Sequence, residues 1–154
     1  MENKQVAAIH FSTAEVTFLL KQKKILKHWI FNTAKLHACK IIQIDFIFCS
    51  DNYLLSINQQ FLSHDTYTDI ITFDYTAVNK NKTKAIVSEI YISIERVKEN
   101  AKTFKTNYTK ELHRVMIHGV LHLCGFKDKK IVDKQLIRSK EDEALIRLDV
   151  LFMV

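Results

Sequence analysis

The chain has 154 residues, 47% hydrophobic, 26% charged and 10% aromatic, which sets it in the range of one globular domain and excludes disorder, collagen-like repeats and a coiled-coil rod. Lys and Arg total 23 against 17 Asp and Glu, a net charge of +6, and that balance favours polyanionic partners such as RNA or DNA. Proline is absent and glycine is reduced to Gly119 and Gly125, so glycine's backbone freedom is spent at one place in the chain.

No repeat, low-complexity tract or Pro/Gly/Ser-rich linker divides the sequence, and residues 1–154 read as a single domain. Loose alternation over residues 8–12 suggests a first strand. Over residues 20–38, Ile25, Trp29, Ile30 and Leu36 fall at helical spacing. The Ile- and Phe-rich run 41–49 reads as a buried strand. A helix over 51–61 follows, with Ser50 or Asp51 as its N-cap and Leu54, Leu55, Ile57, Asn58 and Phe61 as its inner stripe. Residues 70–75 and 85–93 are two more β-type runs joined by a polar loop. Three helical stretches close the chain at about 94–104, 109–124 and 130–151. Strands early and helices late predict an α+β domain: a roughly four-stranded sheet packed by about five helices, rather than a repeating parallel βαβ fold.

Cys39, Cys49 and Cys124 form an odd set with no C-x-x-C pair, which suits a reducing compartment. The first residues lack the basic and long apolar regions of an export signal, and no window approaches the length of a membrane span. The expectation is a cytoplasmic protein without a membrane. Of the lysine runs, Lys21/Lys23/Lys24/Lys27 reads as a solvated helix face and Lys80/Lys82/Lys84 as a surface loop.

The chemistry concentrates in the segment HGVLHLCG. His118 and His122 stand at i,i+4, so on a helix both imidazoles leave from one face, one turn apart, where two nitrogens can share a metal ion. Gly125 suits the left-handed residue that ends a helix and turns the chain back. Asp128 then arrives as an oxygen ligand, completing H-x-x-x-H-x-x-G-x-x-D. Three protein ligands with one open position describe a catalytic zinc (Zn2+) site. The zinc-protease signature has Glu after the first His as general base; here that residue is Gly119, whose missing side chain is expected to leave room at the metal. A peptidase reading lacks its base.

This segment resembles the YbeY family of bacterial endoribonucleases, whose signature runs H-G-x-L-H-L-x-G-Y-D-H. Upstream, Asn58-Gln59-Gln60-Phe61 with Asp65 and Thr68-Asp69-Ile70-Ile71-Thr72-Phe73 is similar to the family's N-x-x-y-R-x-x-D and T-D-V-L-S-F blocks. Ser88-Glu89-Ile90-Tyr91-Ile92-Ser93 is similar to its G-D-I-v-I-S strand. The resemblance implies a zinc-dependent, single-strand-specific endoribonuclease that matures the 3′ end of small-subunit ribosomal RNA and serves ribosome quality control. Its implied partners are single-stranded or ribosomal RNA and the small ribosomal subunit.

Three departures stand out. Asp128 replaces the family's third His ligand, and a carboxylate also binds zinc. Leu62 replaces an arginine able to clamp a phosphate; His64, two residues on, is the candidate to take over a cationic or proton-transfer role. Ser88-Glu89 replaces Gly-Asp, a change expected to matter to the strand more than to the chemistry. Lys127, Lys129 and Lys130 flank Asp128 as candidate backbone contacts, and Phe126 and Tyr67 are candidate stacking surfaces. The alternatives are a ribosome-associated RNA-binding factor with a structural metal, and a metalloprotease.

Overall fold

The computed structural model describes residues 8–62, 67–78 and 84–154. Their elements run β1 (Ile9–Ala14), α1 (Lys23–Leu36), β2 (Cys39–Cys49), α2 (Asp51–Leu62), β3 (Ile70–Asp74), β4 (Ala77–Val78), β5 (Lys84–Ser93), α3 (Ile94–Thr103), α4 (Tyr108–Leu123) and α5 (Ile131–Phe152). The α+β reading holds: a four-strand path in the order β1-β2-β5-β3 forms the sheet, and the two-residue β4 pairs with β5 off that path.

The sheet is mixed. β1 runs parallel to β2 and β2 parallel to β5, while β3 returns antiparallel along β5 with Ile70 opposite Ile92 and Asp74 opposite Ser88. One parallel β1-α1-β2 unit is therefore present, although the fold does not repeat it. The near-continuous apolar run of β2 belongs to a central strand covered by helices. Ser88 and Glu89 serve the strand, as expected: the Ser88 hydroxyl donates to the Phe73 carbonyl at 2.8 Å, and Glu89 accepts from Tyr75 and Tyr91.

α1 is shorter than its periodicity suggests, because both its ends are left-handed turns made without glycine. Gln22 (φ 61) opens it and Ala38 (φ 57) closes it, releasing Cys39 directly into β2. The exposed Lys21, Lys23 and Lys24 lie at its start, as expected of a solvated face. Lys84 does not belong to a loop. It opens β5, and its Nζ donates to the Leu123 carbonyl at 2.6 Å, placing a cation on an open carbonyl at the end of α4. Lys80 and Lys82 lie outside the described residues.

Alternate residues of β3 and β5 face two cores. Ile70 and Ile90 meet α4, whereas Ile71 joins Leu54 and Ile57 of α2 in a second cluster with Phe73 and Tyr91 packed against it. α5 forms a further layer on α1 and α4. The fully buried Trp29 of α1 fixes it there by donating from Nε1 to the Ala144 carbonyl at 2.7 Å. Among the described residues, no helix is long and apolar enough to cross a membrane.

Candidate active site

α4 is buried on nearly every side, which is why its few polar side chains carry information. Its N-terminus is capped by Asn107, whose side chain accepts from the Thr109 and Lys110 amides. Its C-terminus closes as a Schellman turn: the Gly125 N–H reaches the His122 carbonyl at 3.0 Å and the Phe126 N–H the Leu121 carbonyl at 3.1 Å. Gly125 has φ 105, beyond the small left-handed well open to residues with a Cβ, so the reading of Gly125 as the turn residue holds. Gly125→Val is expected to cost about 2 kcal/mol, a fall in Tm of roughly 4–8 °C by calorimetry.

Gly119 does something other than make room at a metal. A Cβ built there would lie 2.9 Å from Ile70 Cδ1 and 3.3 Å from Ile90 Cδ1. The missing side chain lets α4 settle against β3 and β5, on the side of the helix that meets the sheet.

The turn aims His122, because the Phe126 carbonyl it brings back accepts from His122 Nδ1 at 2.9 Å. His118 is aimed from the opposite direction. Its Nδ1 lies 2.7 Å from Glu141 Oε2 of α5, and its Nε2 lies 3.3 Å from Asp128 Oδ2. The two imidazole planes are 4° apart with centroids at 6.4 Å, as i,i+4 spacing dictates. Glu141 also takes Arg114 at 3.1 Å, and Arg114 reaches Asp142 at 2.7 Å.

The structure sets His118 against Asp128 and beside His122, but among the described residues no group of three or more His, Cys, Asp or Glu side chains is placed to hold a metal ion. The chemistry of these three residues fits a metal all the same. With each Nδ1–H given to an oxygen, each Nε2 is left as a donor, which is the usual support for a ligating histidine. A neutral His118 Nε2 and the Asp128 carboxylate would face each other as two acceptors, so a positive charge is required between them. Burial alone would lower the His118 pKa, but the hydrogen bond and charge of Glu141, with Asp128 and Asp69, outweigh it and raise the value, so the surroundings of this ring favour positive charge.

The remaining sequence candidates divide. His64 and Asp65 lie outside the described residues. Leu62 ends α2 and is exposed. Phe126 packs its ring edge-on to His37 at 5.0 Å, and Tyr67 lies under the Arg96 guanidinium at 5.1 Å while its hydroxyl donates to Asn52, so both stacking candidates already have neighbours. Lys127, Lys129 and Lys130 are exposed around the turn.

Sequence reasoning passed over Glu141 and Arg114 and gave Asp69 only as part of the Thr68–Phe73 block, with no role of its own. Glu141 was detectable: the inner stripe of α5 is Ile137, Glu141, Ala144, Leu145 and Leu148, and an acid in an otherwise apolar stripe needs a buried partner. Asp69 accepts from Asn100 Nδ2 at 3.3 Å, and burial raises its carboxyl above the usual range against the pull of His118 and Arg96.

Known proteins resemble this chain over most of its length. A model of the endoribonuclease YbeY family matches residues 8–149. The chain belongs to the YbeY family. Among curated YbeY relatives, the Flavobacterium psychrophilum endoribonuclease is 50% identical over 131 residues, covering 85% of this chain and 90% of that protein. The Cytophaga hutchinsonii endoribonuclease is 45% identical over 137 residues, covering 89% and 93%. The solution structure of TM1509 from Thermotoga maritima superposes with a TM-score of 0.61 at 26% identity, covering 91% of this chain and 88% of that one.

Proposed function

We propose that this member of the endoribonuclease YbeY family is a zinc-dependent enzyme that cuts single-stranded RNA, acting in the cytoplasm on the small ribosomal subunit in 3′-end maturation of its RNA and in ribosome quality control. The observation that carries the reading is His118 set between Glu141 at Nδ1 and Asp128 at Nε2, with the His122 ring parallel one turn away. The residues to hold zinc are His118, His122 and Asp128. A bound zinc ion supplies Lewis acidity toward a phosphate oxygen or an acidified water. The chain does the positioning: Glu141 keeps the proton of His118 at Nδ1, the Phe126 carbonyl keeps that of His122 at Nδ1, and Asp128 brings negative charge to the open side. Gly119 leaves the site without the glutamate base of zinc peptidases.

The test is zinc content and cleavage of single-stranded ribosomal RNA by the purified protein beside His122→Ala and Asp128→Ala. Zinc in the wild type, with cleavage lost in both variants, is the expected result. Cleavage unchanged in both would overturn the assignment. Zinc without cleavage would favour an RNA-binding factor with a structural metal, the reading that Leu62 in place of the arginine suggests, and cleavage of peptides alone would return the protease.

A further inference from the structure

Beside His118 lies a cleft of about 760 Å³ between α4 and α5. Glu111, Arg114 and His118 line its α4 side at i, i+3 and i+7, a rise of about 10 Å along the helix. Lys134 and Arg138 line its α5 side, and Phe104 stands at the end of α3. The charges fall into two groups. The acids are engaged: Glu141 with Arg114 and His118, Asp128 with His118, Asp69 with Asn100. Glu111 is buried, which raises its pKa, and it feels Arg114 and Arg138 only through space. Lys134 and Arg138 are exposed one helical turn apart, and neither makes a side-chain hydrogen bond or ion pair with another described residue. Phe104 is 59% exposed and has no ring partner among the described residues.

Two exposed cations without a direct ion-pair partner among the described residues, at one-turn spacing beside an unstacked aromatic ring, combine a track for a phosphate backbone with a platform for a base. We propose that the α4/α5 cleft holds the single-stranded RNA that reaches the site, with Lys134 and Arg138 contacting phosphates next to the scissile one and Phe104 stacking a base. This rests on the endoribonuclease reading and deepens it. It also places the phosphate grip on α5, in a chain whose α2 ends in Leu62 rather than an arginine.

The experiment measures binding and steady-state cleavage of a mixed-sequence single-stranded oligoribonucleotide, and of its duplex, across a salt series. Lys134→Gln/Arg138→Gln is expected to weaken binding about tenfold, to carry that loss in KM, and to flatten the slope of log affinity against log salt by about 0.7 per cation removed. Phe104→Ala is expected to weaken single-strand binding about tenfold and reduce the preference over duplex, with Phe104→Trp restoring both. Lys23→Gln/Lys24→Gln on α1 controls for net charge and should behave as wild type. A wild-type protein that binds and cuts RNA, with cleft variants matching it in affinity and salt slope, would overturn the cleft assignment alone. A cleft variant no worse than the α1 control would also overturn it. A wild-type protein that neither binds nor cuts RNA would overturn the enzymatic reading itself.

Discussion

Glu141→Ala is expected to lower stability by about 3 kcal/mol in urea unfolding at neutral pH. Glu141 and Arg114 are both largely buried, with side-chain exposures of 6% and 12%. Removing the carboxylate leaves the guanidinium with only Asp142, itself 55% exposed. An isolated buried charge costs more than the pair contributes, because desolvation is no longer offset. The same substitution takes the acceptor from His118 Nδ1, freeing the ring to turn or to change tautomer, and under the zinc reading proposed above the zinc affinity is expected to fall about 10–100-fold. Glu141→Gln keeps the volume and one carbonyl acceptor, so it should lose less stability while still weakening the metal. Equal stability of Glu141→Ala and wild type would mean that Arg114 finds full compensation at Asp142.

The second large effect is acid sensitivity. His113, on the buried side of α4, packs near Trp29 and Phe152 with centroids at 6.1 and 6.0 Å. Burial pushes its pKa from 6.5 down to about 4, against a small opposing pull from Asp149. Between those values the unfolded chain binds a proton that the folded chain refuses. Stability should therefore fall as pH drops from about 6.5 to about 4, by about 3 kcal/mol in all. Glu111 and Asp69, whose pKa values burial raises, act with the opposite sign, so the comparison and not the raw curve is diagnostic. His113→Phe should flatten the dependence across this window, and parallel curves for the two proteins would sink the attribution.

Most elements were legible because their signals are local: the stripe of α1, the apolar run of β2, the histidine spacing and terminal glycine of α4. What escaped depends on one element being laid on another. Glu141 reads as one more surface acid of a charged helix until α5 is placed over α4. Gly119 invites explanation by its neighbour His118 until the helix is seen resting on Ile70 and Ile90. β4 is two residues long, too short for periodicity to register, and parallel pairing of β1, β2 and β5 leaves no mark on any one of them. The cleft beside His118 is likewise a property of two surfaces.

Trp29 bears on all of this from a distance. Its indole N–H holds the carbonyl of Ala144, three residues beyond Glu141. Helices packed by apolar ridges can shift lengthwise at modest cost, and sliding by one residue moves a side chain about 1.5 Å, enough to part Glu141 from an imidazole 2.7 Å away. The indole acts as a stop that sets the axial position of α5, so the aim of His118 is calibrated by a side chain from the first helix of the chain. Trimming that stop would loosen the site while leaving every residue of it in place.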